Sequence, residues 1–337
     1  MRSMRYGLFT VNFPQTLWRQ IPPFSAKMLV AMLSPSLTRP PLPTQNGVSA
    51  SCVALPAGVW RTLAEYLASR FVRIPLEEWQ ARMGRGDVLD ASGNPLSPDC
   101  PYQPHRKIYY YRSLPPEIPI PFQETVIYQD AWIVVADKPH FLPVVPSGRY
   151  LQETLLVRLK RKLAIDTLSP MHRIDQDTAG LVLFTIQPKT RNAYQAMFRQ
   201  RAVEKHYEAI APYRSGITLP AIVRNRLAEA ATFMQMHITE GEPNAETRVA
   251  LRETQGTLAR YALQPITGQR HQLRVHMASL DLPIVNDRIY PVLYPELPLG
   301  EAPDFDQPLK LLAKSIAFTD PVTGEHRTFE SQRCLQF

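Results

Sequence analysis

Apolar positions first recur at helical spacing in WRTLAEYLASRF, where Leu63, Tyr66, Leu67 and Phe71 share a face, and again in LEEWQARMGRGDV through Leu76, Trp79 and Met83. Two short helices are predicted. The Gly84-Arg85-Gly86 turn leads into VLDASGNPL, where Gly93-Asn94 marks a hairpin, and KIYYYRS alternates as a strand. Beyond Glu124, strands and helices mix. ETVIYQD and AWIVVADKP read as a hairpin about Gln129 and Asp130, TLLVRLKRKLA as an amphipathic helix, and GLVLFTIQ as a short buried strand. TRNAYQAMFRQRAV is a helix with Tyr194, Met197 and Phe198 on one face. KHYEAIAPY, both halves of TRVALRETQGTLARYALQP about Gln255-Gly256, RHQLRVH and the closing FTDPVTGEHRTFES hairpin alternate as strands. The fold class is therefore α+β, a mixed and largely antiparallel sheet flanked by helices, with no repeat at solenoid periods.

Composition divides the chain further. Residues 1–56 hold Arg2, Arg5, Arg19, Lys27 and Arg39, no acidic residue, and the proline-rich stretch SPSLTRPPLPTQNG. This segment is expected to be a flexible basic tail; it also has the composition of an organelle transit peptide, and Met28 and Met32 offer later start sites. Residues 57–113 form a small unit, 114–123 with PPEIPIPF an extended linker, and 124–337 the large unit. The net charge of +8 and pI near 9.4 favour a polyanionic partner, because Lys and Arg release the counterions condensed on phosphates. No run of about 18 apolar residues is present to cross a membrane as a helix. Cys52, Cys100 and Cys334 lie too far apart for a disulfide framework or a zinc site, which fits a reducing cytoplasm.

The chemistry-bearing stretch is MHRIDQDTAGLVLF, Met171 to Phe184. An Asp or Thr ahead of an apolar run can be a self-satisfied turn. Downstream, however, stand VEKHYEAIAP, PITGQRHQLRVHMASLDLPIVNDRIYP and LLAKSIAFTDP in that order. With these blocks, the region from Glu124 to Phe337 resembles the RluA-type family of RNA pseudouridine synthases. The family's His-Arg-Leu-Asp-x-x-Thr-Ser-Gly block meets His172, Arg173, Ile174, Asp175, Thr178 and Gly180, with Ala179 in place of Ser. Its Lys-x-Tyr-x-Ala block meets Lys205, Tyr207 and Ala209. Its Thr-Gly-Arg-x-His-Gln-Leu-Arg-Val-His block meets Thr267, Gly268, His271, Gln272, Leu273, Arg274, Val275 and His276, with Gln269 where the first arginine belongs and Arg270 one place later. Asp137-Lys138-Pro139 resembles the opening Asn-Lys-Pro block, Asn286 replaces a Gly before Asp287, and Leu312 stands where many members carry His.

The resemblance implies isomerisation of uridine to pseudouridine in structured RNA, with no cofactor and no metal; large-subunit ribosomal RNA and transfer RNA are both substrates of the family. Asp175 is then the catalytic carboxylate, either attacking the anomeric carbon or taking the carbon 2′ proton. An adjacent cation would hold it ionised: Arg270, or Arg274 or Arg173 if the shifted block matters. Tyr207 corresponds to the active-site tyrosine, and as a bare strand residue it would simply fill a core. His172 and Arg173 are expected to fill the space an everted base leaves or to hold a phosphate, and Lys205 and Arg274 to contact RNA. Asp287 and Tyr290 brace the pocket floor, and Asp177 is a turn residue. The unit at 57–113 resembles the small αL RNA-binding module first recognised in a small-subunit ribosomal protein, with Arg73, Arg82 and Arg85 on phosphates; the alternative is a structural cap. The expected protein is a cytoplasmic monomer. Rival readings are a catalytically inactive RNA-binding or RNA-chaperone protein and, more remotely, a metal-assisted nuclease.

Overall fold

The computed structural model describes residue 42 and residues 44–112, 117–230, 232, 234–298 and 300–337. Most of the expected basic tail thus lies outside the described residues. Its end at residue 56 is corrected: Gln45 and Val48 form a bridge, and β1 (Ser51–Ala54) pairs antiparallel with Tyr110 back to Lys107. Those backbone groups go to a strand ladder rather than to water.

Around β1 stand α1 (Leu63–Arg70), α2 (Leu76–Gly84), β2 (Val88–Leu89) and β3 (Lys107–Tyr110), with the strands ordered β1-β3-β2. Helix α1 begins in a reciprocal capping box, Thr62 with Glu65, which satisfies two otherwise orphan amides. The apolar positions named by helical spacing meet in one core: Leu63, Tyr66, Leu67, Trp79 and Met83 pack with Val88 and Ile108. The segment after it is extended but pinned. The Glu117 carboxylate accepts from the amides of Leu151, Gln152 and Glu153, and Arg158 donates to the carbonyls of Ile120 and Phe122.

The rest is one large sheet. In chain order its elements are β4 (Thr125–Gln129), β5 (Ile133–Lys138), α3 (Leu155–Leu163), β6 (Ser169–Pro170), β7 (Ala179–Thr185), α4 (Arg191–Arg199) and β8 (Val203–Pro212). Then come β9 (Ala221–Glu229), β10 (Met236–Thr239), β11 (Ala245–Gln255), β12 (Leu258–Pro265), α5 (Gln272–Ser279), β13 (Leu311–Thr319) and β14 (His326–Glu330). The eleven strands run β10-β9-β11-β12-β8-β13-β7-β5-β4, with β14 on β13 and β6 on β7. Pairing is antiparallel except where β13 meets β7.

Strands β5 and β7 are buried along their whole length, which is why AWIVVADKP and GLVLFTIQ read as nearly unbroken apolar runs. Their alternate side chains divide between two cores. Val134, Ala136, Val182 and Phe184 pack with Leu155 and Leu159 of α3, whereas Ile133, Val135, Leu181 and Leu183 pack with Tyr194 and Met197 of α4. A third core joins Ala209, Val249, Tyr261 and Leu263 of the sheet to Leu273 and Met277 of α5.

Two differences from the pattern reading matter. RHQLRVH, expected as a strand, enters α5: residues Gln272 to Met277 are all buried, so the helix has no polar face and leaves no 3.6-residue stripe to read. The hairpin β9–β10 was not foreseen, because Ile222 and Ile238 sit on its solvent side and blur the alternation.

Candidate active site

Asp175 lies between β6 and β7. Its carbonyl accepts from the Thr178 amide at 3.2 Å, closing a turn that ends where β7 begins. There Ala179 and Gly180 pair with Leu312 and Ala313 of β13. Gly180 has φ +109°, and a Cβ on it would stand 2.2 Å from the Ala313 carbonyl oxygen, so the close approach and the left-handed backbone both demand glycine. Under the turn, the buried Lys138 ammonium at the end of β5 donates to the carbonyls of Pro139 at 2.9 Å and Gln176 at 2.8 Å. Burial lowers its pKa to about 7, against the fields of Asp177 and Asp175. The His140 ring nitrogen Nδ1 is 2.7 Å from the Asp177 carbonyl, and burial holds this imidazole at about 4. Asp177 is thus tied by its backbone as a turn residue; burial pushes its carboxyl up while Arg274 and Lys138 pull it down.

The Asp175 side chain is 28% exposed, and its Oδ2 is 3.5 Å from Nη1 of Arg274. The arginine itself is only 2% exposed and comes from the first turn of α5. Asp287 grips it from behind, Nε to Oδ2 at 2.8 Å and Nη2 to Oδ1 at 2.6 Å, and the same Oδ1 takes the amides of Ile289 and Tyr290. Burial works against the guanidinium charge, but the Asp287 hydrogen bonds and the surrounding carboxylates outweigh it and hold Arg274 above the ordinary arginine range. A fixed cation therefore faces a partly open carboxylate.

Of the three arginines the sequence offered as partner to Asp175, Arg274, the second arginine of the block, makes this ion pair, and Arg270 stands half-buried in the turn before α5. The offset at Gln269 is immaterial to that pairing, because Gln269 serves the turn: its amide donates to Gln272 Oε1. Gln272 also accepts from the Thr267 hydroxyl and donates to the Glu246 carbonyl, which fixes how α5 enters the core.

Tyr207, on β8 opposite Leu263 and Ala313, is half-buried beside Asp175. Burial, and then the Asp175 charge, raise its pKa, so the phenol stays protonated. Arg173 is exposed. His172, expected on RNA, turns inward instead: its ring stacks on Phe198 at 4.6 Å and its Nε2 accepts from the Leu183 amide at 3.1 Å. Burial brings it to about 3, so it is a neutral packing residue. Lys205 is half-buried with Nζ 3.4 Å from the Thr267 carbonyl, bracing the turn before α5. Arg82 is buried against Trp79 and paired with Glu78 at 2.7 Å, so it holds α2 rather than RNA. Arg85 is exposed but paired with Asp87 and Glu78, and Arg73 is exposed. Sequence reasoning placed Lys138 in a block that resembles the family's Asn-Lys-Pro but gave it no role, since its place in an apolar strand carries no sign of its contact with the Asp175 turn. Among the described residues, no group of three or more His, Cys, Asp or Glu side chains could hold a metal ion.

A solvent-facing carboxylate locked to a buried arginine, beside a protonated phenol on a central antiparallel sheet, defines a class. The family model for RNA pseudouridylate synthases matches residues 132–279, which span the turn of Asp175, Tyr207 and Arg274. The dual-specificity RNA pseudouridine synthase RluA of Haemophilus influenzae is 31% identical over 223 residues, 61% of this chain and 92% of that protein. An uncharacterised RNA pseudouridine synthase of Synechocystis is 26% identical over 236 residues, 68% of this chain and 79% of that one. In fold, the chain is similar to human RNA pseudouridylate synthase domain containing 1, with a TM-score of 0.50 at 20% identity over 63% of this chain and 84% of the other. The chain belongs to the RluA-type family of RNA pseudouridine synthases, and is an isomerase that acts on RNA.

Proposed function

We propose that the chain isomerises uridines in structured ribosomal or transfer RNA, with Asp175 as the catalytic carboxylate. The observation that carries this reading is the Asp175–Arg274–Asp287 chain, which presents one charged oxygen pair to solvent and buries everything that holds it. The target base must leave its stack to be turned, at a cost of about a few kcal/mol, and the exposed Arg173 beside the turn suits the vacated space. Arg274 aims the Asp175 carboxylate through the 3.5 Å ion pair. From there two routes are open: attack on the anomeric carbon, or removal of the carbon 2′ proton. Tyr207 lies against the base as a neutral phenol and orients it, and the carbon 5 proton passes to solvent water. Residues 57–113 act as an RNA-binding module through Arg73 and its neighbours, with Arg82 confined to packing. The enzyme works as a monomer in the cytoplasm, without metal or cofactor.

The test is release of tritium from carbon 5 of uridine in ribosomal and transfer RNA. The native chain is expected to release it and Asp175→Asn to lose at least about 10³-fold, as removal of a catalytic group does. Release by the substituted chain at the native rate would remove Asp175 from the mechanism. Mapping pseudouridine in cells lacking the gene identifies the RNA, by a site lost and then restored.

A further inference from the structure

His271 stands three residues before Arg274, at the start of α5, with a left-handed backbone of φ 53°. Its ring meets Tyr290 edge to face, centroids 5.7 Å apart, and Nδ1 is 3.1 Å from the Tyr290 hydroxyl. That hydroxyl already accepts the amide of Met236, on the β9–β10 hairpin, at 2.6 Å. Tyr290 is itself fixed: its backbone amide donates to Asp287, and the Arg274 guanidinium lies 5.6 Å from its ring centre. A phenol that accepts an N–H has one proton left to give, and the acceptor beside it is His271 Nδ1. The imidazole is therefore set with its proton on Nε2, the tautomer being decided by the hydrogen bond at the other nitrogen. Nε2 has no hydrogen-bond partner among the described residues and is not among the buried unsatisfied atoms, so it opens to solvent. Burial keeps the ring at about 4, and Asp175 is the strongest charge acting on it.

We infer that His271 is a neutral hydrogen-bond donor to the uracil, its Nε2–H directed to a base carbonyl by a relay from the Met236 amide through the Tyr290 hydroxyl. When the bond from the anomeric carbon to the base nitrogen breaks, its electron pair passes to the uracil and spreads onto the two carbonyl oxygens. A preset N–H at one of these oxygens stabilises that charge without giving up its proton, so the ring ends the step as it began. Tyr290 is the positioning residue: it touches no substrate and acts by choosing the tautomer. The hairpin that supplies the Met236 amide thereby reports its seating to the site. This inference rests on the reading of Asp175 as the reaction centre.

Two measurements separate the relay from that reading. Nitrogen-15 imidazole correlations on the full chain are expected to show His271 protonated at Nε2 and bare at Nδ1, and Tyr290→Phe to shift the ring toward a mixture. This readout needs no activity. In tritium release, His271→Ala is expected to lower kcat by about 10²-fold, the scale of losing one such donor, with KM moved by less than about threefold. His271→Gln, which can place an amide N–H near the Nε2 position, is expected to recover at least about tenfold of that loss. A proton on Nδ1 in the native chain overturns the relay. Equal losses in the Ala and Gln chains, or an effect on KM alone, overturn the donor role. Failure of the Asp175→Asn test with an intact Nε2–H tautomer would instead unseat the reaction centre and leave the relay standing.

Discussion

Arg274 and Asp287 show how burial changes the worth of an ion pair. Their side chains are 2% and 0% exposed and bind through two parallel hydrogen bonds. Removing one partner leaves an uncompensated buried charge, so Asp287→Ala is expected to cost about 3–5 kcal/mol, read from urea unfolding, and to free Arg274 from its aim at Asp175. The exposed pair Arg224–Glu246, at 2.8 Å, is the control: Glu246→Gln there should cost under about 1 kcal/mol. Equal costs would show that Asp287 does not hold a buried cation. At this scale Asp175 was legible, because its block stands in order with three others. Its partner was legible only as one of three arginines, since an arginine's role depends on which one the helix turns inward; Arg82 is buried against Trp79, and the half-buried His172 stacks on Phe198.

Among the elements, β7 and β13 carry the tightest constraint. Their parallel pairing at Ala179 and Gly180 sets the start of β7 directly beyond the Asp175 turn. Gly180→Ala must either move the Ala313 carbonyl or abandon φ +109°, and is expected to destabilise by more than about 3 kcal/mol or to prevent folding. Circular dichroism and thermal unfolding check this, and a native-like melting temperature would contradict the geometry. The strands buried on both faces were readable as short, nearly unbroken apolar runs, and the amphipathic helices α3 and α4 by a 3.6-residue period that survives in the sequence. Helix α5 was not, since burial on every side erases the contrast that periodicity needs.

Across the whole molecule, charge and pH behaviour are set by what the fold hides. Burial holds His140, His271 and His276 at about 4 and His172 at about 3, against an ordinary 6.5. The stability that rests on their neutrality is complete above pH 6.5 and is lost as pH falls toward 4, because the unfolded chain takes up protons the folded one refuses. The urea midpoint is therefore expected to drop between pH 7 and pH 5, with the raised pKa of Asp177 opposing in part, and His276→Gln to lessen the drop. A midpoint flat over that interval would contradict the burial of these rings. The net charge of +8 and the ordered motif blocks are written in the chain. By itself the sequence determined the α+β class and the family, and singled out the Asp175 turn as the candidate site, since each depends on local pattern and residue order. The tertiary structure alone decided that Arg274 pairs with Asp175, that His172 packs inward and that α5 is a helix, because burial and distance arise only when segments remote in sequence are brought into contact.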